Sequence, residues 1–262
     1  MINYLSKEVN IMTDPKIGVT LYNCRDFTKT PADIAMTLKK VRKIGYRYVQ
    51  LSGLGPVAPE ELKKMLDNEG LQVCITHTPY DRLKNDLDAV IREHHLWNCP
   101  HVAVGSMPGE YANPEGFVRF AGECSEIGKK LAAAGLTFSY HNHHWELERQ
   151  NGKTGLEILF SQSDPKYLFA EIDTYWIQYG GGDPAAWIRR MKGRVPVVHF
   201  KDMAVVKGKP VMTEVGEGNL NWKEIIKACR ESRVEYAVVE QDECLIDPFE
   251  SIAISYRNLK KM

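Results

Sequence analysis

"IGVTLY" (17–22) followed by "PADIAMTLKKVRKIG" (31–45) sets a β-rich run before a helical one, and this order decides the fold. In the second piece Ile34, Leu38, Val41 and Ile44 keep the three-and-four spacing of an amphipathic helix. Pro31 suits the first helical turn, where its missing N–H is not needed, and Gly45 suits the stop.

The same order then recurs along the chain. "YRYVQLS" (46–52) precedes "APEELKKMLDNEG" (58–70), and "LQVCITH" (71–77) precedes "LKNDLDAVIREHHLWN" (83–98). "HVAVGS" (101–106) leads to "NPEGFVRFAGECSEIGKKLAAAG" (113–135), and "LTFSYHNH" (136–143) to "TGLEILFSQS" (154–163). "YLFAEID" (167–173), "VPVVHFKD" (195–202) and "EYAVVEQD" (235–242) each precede a further helical pattern, at 183–193, 221–233 and 247–262. Each unit averages about 33 residues, near the roughly 30 of a βαβ step. Strict alternation implies a parallel sheet, and eight units are enough to close it. An open doubly wound sheet would normally need fewer units, and no glycine-rich phosphate loop follows the first strand. The expected architecture is α/β, a single-domain (β/α)8 barrel over residues 16–262 behind an N-terminal extension, 1–15.

Composition narrows the function. Lys plus Arg and Asp plus Glu balance at 34 each, whereas nucleic-acid binders usually carry a basic excess. No apolar run approaches the roughly 20 residues that span a bilayer, and the start lacks the sections of a signal peptide. Six cysteines stand singly, without a CxxC pair, and read as ordinary thiols of a reducing compartment. A soluble, cytoplasmic chain without nucleic-acid or membrane partners is expected; a homo-oligomer is compatible with this sequence.

In a barrel of this kind the active site sits where strands end and βα loops begin. Strand three ends in His77, strand five in His141 and His143, strand six in Asp173, strand seven in His199 and strand eight in Glu240. A carboxylate or imidazole aimed into a small barrel mouth costs free energy unless something pairs with it. A divalent cation satisfies several at once, and mixed nitrogen and oxygen donors suit Zn, Mn, Co or Fe. Each residue also has a plainer role. Asp173 can cap a short helix, His199 can be a satisfied barrel histidine, and Glu240 can pair with Lys201. Their joint occurrence on strands six, seven and eight favours the site.

"TFSYHNHHWELE" (137–148) holds three of the chain's eight histidines. Strand side chains alternate, so Ser139, His141 and His143 share one face and Tyr140 and Asn142 the other. With the first face inward, His141 is the best-placed fourth ligand and His143 sits just above it. His144 falls out of register, toward the surface or a supporting position. Glu146 either bends back over the site or faces water.

The pieces "YHNHHWE", "EIDTYW", "VVHFKDM", "VGEGNLNW" and "VVEQDE" together resemble the sugar phosphate isomerase/epimerase family, the xylose isomerase-like TIM barrels, over roughly 16–262. The resemblance implies one divalent metal (Mn, Zn, Co or Mg) at the C-terminal mouth. Its implied ligands are Asp173, His199 and Glu240, with His141 or Glu146 completing the set. Ketose epimerases of this family carry a glutamate at the end of strand five and a histidine three residues past the strand-six aspartate. This chain has histidines at the first place and Trp176 at the second. The histidine-bearing branch also resembles inosose dehydratase-like proteins and enzymes that cleave 3-keto glycosides by β-elimination.

The chemistry common to these reactions uses a metal to polarise a carbonyl and stabilise the enediolate formed when a neighbouring proton leaves. The expected substrate is a small sugar or keto-sugar. His143 and Glu146 are the candidate bases, with Glu240 as both ligand and acid/base; Lys201 can stabilise developing negative charge. Trp145, Trp176 and Tyr22 offer flat faces for a sugar ring, His77 lies beside them, and ordinary packing explains Tyr22 equally well. An isomerase or epimerase is the first expectation by a narrow margin, a lyase on the same site the second. A zinc endonuclease for abasic DNA stands last, because it needs a three-metal cluster and a basic face.

Overall fold

The computed structural model describes residues 13–262, so most of the expected N-terminal extension lies outside the described residues. Eight parallel strands close into a barrel: Lys16–Thr20, Tyr48–Leu51, Gln72–His77, His101–Val104, Thr137–His141, Phe169–Asp173, Val197–Phe200 and Tyr236–Val239. The first strand pairs with both the second and the eighth, which closes the ring. Asn23 ties that seam at the mouth. Its side-chain amide donates to the Thr20 and Val239 carbonyls at 3.0 Å each, and its oxygen accepts from the Gln241 N–H at 2.5 Å.

Strand alternation divides the side chains into two cores. Phe138, Tyr140, Ala170, Ile172, Val198, Phe200, Ala237 and Val239 face outward into the main apolar cluster under the helices. Cys74, Ile75, Ala103, Val197, Tyr236 and Val238 form a smaller cluster, against which Tyr48 packs. Above it the filling turns polar, with Gln50, Ser139, His141, Glu171, Asp173, His199 and Lys201 all buried.

The first helix forms as its spacing predicts. Pro31–Ile44 buries Ile34, Leu38 and Val41, with Ile44 partly buried against the same cluster. A capping box opens it: the Thr30 hydroxyl accepts from the Asp33 N–H at 3.2 Å, while the Asp33 carboxylate accepts from the Thr30 N–H at 3.1 Å. Gly45 stops it at φ 126°, and a Cβ there would stand 2.6 Å from the Tyr256 ring.

Two antiparallel hairpins decorate the mouth in addition to the eight units. One pairs Arg149–Gln150 with Lys153–Thr154, the other Asp202–Val206 with Lys209–Thr213. The second turns through Lys207 at φ 49° and Gly208 at φ 77°, the two positive values a tight two-residue hairpin turn requires. Asp202 anchors its base by accepting from the N–H groups of Met203, Gly216, Gly218 and Leu220 and from the Trp222 indole. The stretch 83–98 divides into Tyr80–Asn85 and Leu87–Trp97, and a short helix, Thr174–Tyr179, precedes Pro184–Arg190. No helix among the described residues is long and apolar enough to cross a membrane.

His94, on the helix Leu87–Trp97, is buried neutral. Its Nδ1–H donates to the Val90 carbonyl at 2.7 Å, and its Nε2 accepts from the Thr76 hydroxyl at 2.9 Å. Burial pushes its pKa down from 6.5 to about 4. The unfolded chain therefore binds the extra proton first, and stability present above pH 6.5 is lost as pH falls toward 4. The loss from this group is on the order of 3 kcal/mol. Urea unfolding across this window should give a visibly shallower pH slope for His94→Gln than for the wild type; equal slopes rule His94 out as the source.

Candidate metal centre and its surroundings

Parallel register brings the polar strand ends to one level. Asp173 pairs with His199, and His141 with Glu171. Thr174 fixes the end of strand seven: its hydroxyl lies 3.1 Å from the His199 carbonyl and 3.0 Å from the Lys201 N–H. The result is a buried cluster of His141, Asp173, His199 and Glu240, in which one donor atom from each residue lies within 4.8 Å of every other. The sequence expectation named Asp173, His199 and Glu240 as ligands, with His141 or Glu146 as the fourth.

Asp173 combines the plain reading with the sharper one. Its Oδ1 accepts from the Trp176 N–H at 2.9 Å and caps the helix that follows, while the buried Oδ2 has no hydrogen-bond partner. The buried His141 Nδ1 is likewise without one. Burial pushes the Asp173 carboxyl up despite the pull of Lys201, and it pushes the His141 imidazole down, as does neighbouring His199. His199 lies between carboxylates, its Nδ1 2.8 Å from Glu240 and its Nε2 2.8 Å from Glu171. Their charges outweigh burial and hold its pKa well above the ordinary value.

Lys201 is fully buried, with Nζ 3.4 Å from Asp173 and 3.3 Å from Glu240, and it also pairs with Asp242. Burial disfavours the ammonium, but these carboxylates outweigh it and raise its pKa. Lys201 and His199 in turn keep Glu240 well below the usual carboxylate range against its own burial. Three carboxylates, Glu171, Asp173 and Glu240, are thus buried around the Lys201 ammonium and the His199 imidazole, whose pKa they raise. The Asp173 Oδ2, which has no hydrogen bond but lies 3.4 Å from Lys201 Nζ, the His141 Nδ1 without a hydrogen bond and the carboxylates around them all fit a divalent ion.

The rest of the histidine-rich stretch separates. His143 is partly buried above the cluster, its ring 5.0 Å from that of His141 and 5.6 Å from Trp176. His144 is exposed and packs on Trp176 and Tyr179 at 5.0 and 4.9 Å. Glu146, expected either over the site or in water, does neither. It is fully buried, with one oxygen accepting from the Tyr140 hydroxyl at 2.7 Å and the other from the His143 N–H at 2.9 Å. Its hydrogen bond and charge outweigh burial and raise the His143 pKa.

Of the expected sugar-facing groups, Trp176 stands at the mouth, with Lys201 Nζ 4.9 Å above its ring and its indole nitrogen without a partner. Trp145 turns away to pack beside Phe117 at 5.9 Å, because its place in the short turn Trp145–Leu147 faces the helix Pro114–Ala133. Tyr22 is half-buried under the Arg25 guanidinium at 4.4 Å. His77 is partly exposed at the edge of the cluster: its Nε2 is 2.7 Å from Glu171, and its ring stacks on His199 at 5.5 Å.

Three residues of the cluster escaped sequence reading. Glu171 stands two positions before Asp173 on the inward face of strand six, a parity the alternation rule could have exposed. Gln50 is inward on strand two, and Asp242 follows Glu240 by two positions.

A family model for xylose isomerase-like TIM barrels matches residues 38–261, and the chain belongs to that family. It is similar to the inosose dehydratase of Clostridium beijerinckii, 23% identical over 86% of this chain and 85% of that protein. It is also similar to the inosose dehydratase of Lacticaseibacillus casei, 22% identical over 79% and 82%. A sugar phosphate isomerase/epimerase from Parabacteroides distasonis shares the fold with a TM-score of 0.77, at 22% identity over 95% of this chain and 94% of that one.

The donor set leads to an expected outcome. Protein stripped with a chelator and reloaded should take up one divalent ion per chain, read by elemental analysis. Asp173→Ala and His199→Ala should abolish uptake, and His143→Ala should retain it. Equal loss in all three variants would mean that His143 is a ligand too.

Proposed function

We propose that the protein is a metal-dependent lyase that eliminates water or an alcohol from the carbon β to the carbonyl of a keto-polyol or keto-sugar. The metal is held by His141, Asp173, His199 and Glu240. The observation that carries this reading is the fate of Glu146. With both of its oxygens engaged by Tyr140 and the His143 backbone, no free carboxylate faces the cluster from strand five. A proton shuttle between two glutamates, one on each side of the substrate, therefore lacks one of its members. The inosose dehydratases it resembles over most of their length support elimination as well.

When bound, the divalent ion supplies Lewis-acid polarisation of the substrate carbonyl. His143 stands above the cluster and takes the proton from the carbon α to that carbonyl. As the α C–H electrons form the new double bond, the C–O bond on the β carbon breaks. The imidazolium of His143 then delivers its proton to the departing oxygen. The residue returns to its starting state, and the net loss is one molecule of water or alcohol. Lys201 lies 3.4 Å from Asp173 and 3.3 Å from Glu240 and offsets part of their negative charge, and Trp176 presents a flat face at the mouth. An isomerase or epimerase on the same residues is the second reading, supported by the intact strand-end position of Glu240.

Metal-loaded protein should be run in deuterated water with keto-inositols, 3-keto glycosides and ketoses, and the products followed by mass. Loss of water or an alcohol, reduced by about 10²–10⁴ in His143→Ala, is expected. Deuterium uptake with all oxygens retained reverses the order in favour of the isomerase.

A further inference from the structure

We propose that the substrate of this mouth carries no phosphate or other anionic group, because the places where the barrel could hold one are filled by carboxylates of the chain itself. The inference rests on the keto-polyol or keto-sugar reading above and adds the charge of that substrate.

Barrels of this class often bind a substrate phosphate at the loops after strands seven and eight and at a helix N-terminus beside them, where free backbone N–H groups converge. Here the loop after strand seven forms such a nest, and Asp202 occupies it. The buried Asp202 accepts through Oδ1 from the Met203 N–H at 2.8 Å and the Leu220 N–H at 3.2 Å. Its Oδ2 accepts from the Gly216 and Gly218 N–H groups at 2.9 and 3.1 Å and from the Trp222 indole at 2.5 Å. Successive backbone donors converging on one anion are what a phosphate nest provides. Gly218 shows how closely the backbone wraps the carboxylate, since a Cβ there would run into Oδ1. A substrate anion arriving at this loop meets a negative charge in place of free N–H groups.

The neighbouring helix starts are closed in the same way. After strand eight, Asp247 accepts from the Phe249 and Glu250 N–H groups at 2.9 and 3.1 Å, at the head of Pro248–Leu259. After the glycine run 180–182, Asp183 accepts from the Ala185 and Ala186 N–H groups at 2.9 and 3.2 Å. Side-chain cations do not take over the task. The loops after strands two, four, six and eight, at 52–58, 105–113, 174–183 and 240–247, contain no Lys or Arg. Lys201 is enclosed by Asp173, Glu240 and Asp242. Arg25 donates from Nη1 to the Tyr22 carbonyl at 3.2 Å and from Nη2 to the Asp242 carbonyl at 2.6 Å. Arg149, Lys153, Lys207 and Lys209 are exposed on the two hairpins. A phosphate drawn into this mouth would shed water without gaining matching donors, whereas the hydroxyls of a neutral polyol ask for no cation.

The test has two arms on the full chain. Metal-loaded protein is offered neutral ketoses and keto-inositols, each beside its own phosphate monoester, and kcat/KM is compared within each pair. The monoester should be worse by more than about tenfold, because like charges set against each other at a binding face cost at least that much. A smaller difference, or a preference for the monoester, overturns the proposal. The comparison reads the same whether the product arises by elimination or by isomerisation. The second arm needs no turnover. Inorganic phosphate is titrated calorimetrically into metal-free protein, where no ion can ligate it. Wild type should give no saturable binding, and Asp202→Ala should bind phosphate on the N–H groups left vacant. Saturable binding to wild type overturns the proposal. A folded Asp202→Ala that binds no phosphate makes Asp202 a loop anchor only, and overturns it too. Should Asp202→Ala fail to fold, the wild-type titration and the substrate pairs decide. If neither member of any pair reacts, the proposed activity fails, and the wild-type titration alone decides the charge: binding overturns the proposal and its absence upholds it.

Discussion

Three carboxylates inside a closed barrel, with one ammonium group among them, set the terms for everything at the mouth. Two unit charges about 3.3 Å apart attract by roughly 5 kcal/mol at an effective dielectric near 20, before the cost of removing them from water. Lys201 supplies that attraction to Asp173 and Glu240 together. It leaves Glu171 to the imidazoles of His77 and His199. Even so, the Asp173 Oδ2 has only the 3.4 Å charge contact with Lys201, and the His141 Nδ1 has no hydrogen-bond partner. Buried groups left in this state are costly, and a cation between them is the physical way to offset that cost.

The barrel makes this density of charge buildable. Each inward side chain descends from a strand whose outward neighbours are anchored in the main core. Ile172 lies between Glu171 and Asp173, Val198 just before His199 and Val239 just before Glu240, all fully buried. A shift of one residue in any strand would exchange a carboxylate for an aliphatic group. The charged layer is held in place by apolar packing on the other face of the same strands. Asp173 shows how closely the two tasks are joined, with one oxygen capping a helix and the other facing the cluster.

The sequence carried what depends on periodicity and missed what depends on contact across the barrel. Eight repeated strand–helix orders led directly to the ring, and the strand ends led to His141, Asp173, His199 and Glu240. The hairpin over 202–213 was not read, because its alternation lies beyond strand seven where a loop was expected. Glu171 is not a strand end: it stands two positions before Asp173, and strand-end position alone does not mark it. Its partner His77 is 94 positions away, and no local spacing links the two. Trp145 looked like a sugar platform by type, yet the turn that follows strand five carries it to Phe117.

The stretch after strand five shows why residue type and position alone left its chemistry open. Glu146 and His143 are three residues apart, and either could have been the base. The deciding contact is with Tyr140, which points away from the barrel interior and whose hydroxyl donates to Glu146 at 2.7 Å. That bond draws the carboxylate to the outer side of the strand, where it also receives the His143 N–H at 2.9 Å. Glu146 thereby shapes the turn that lifts the His143 ring over the cluster. Both Glu146 oxygens are engaged in this way, and on that side the imidazole of His143 stands above the cluster. The asymmetry between strand five and strand eight is therefore a property of the turn, set by an outward tyrosine.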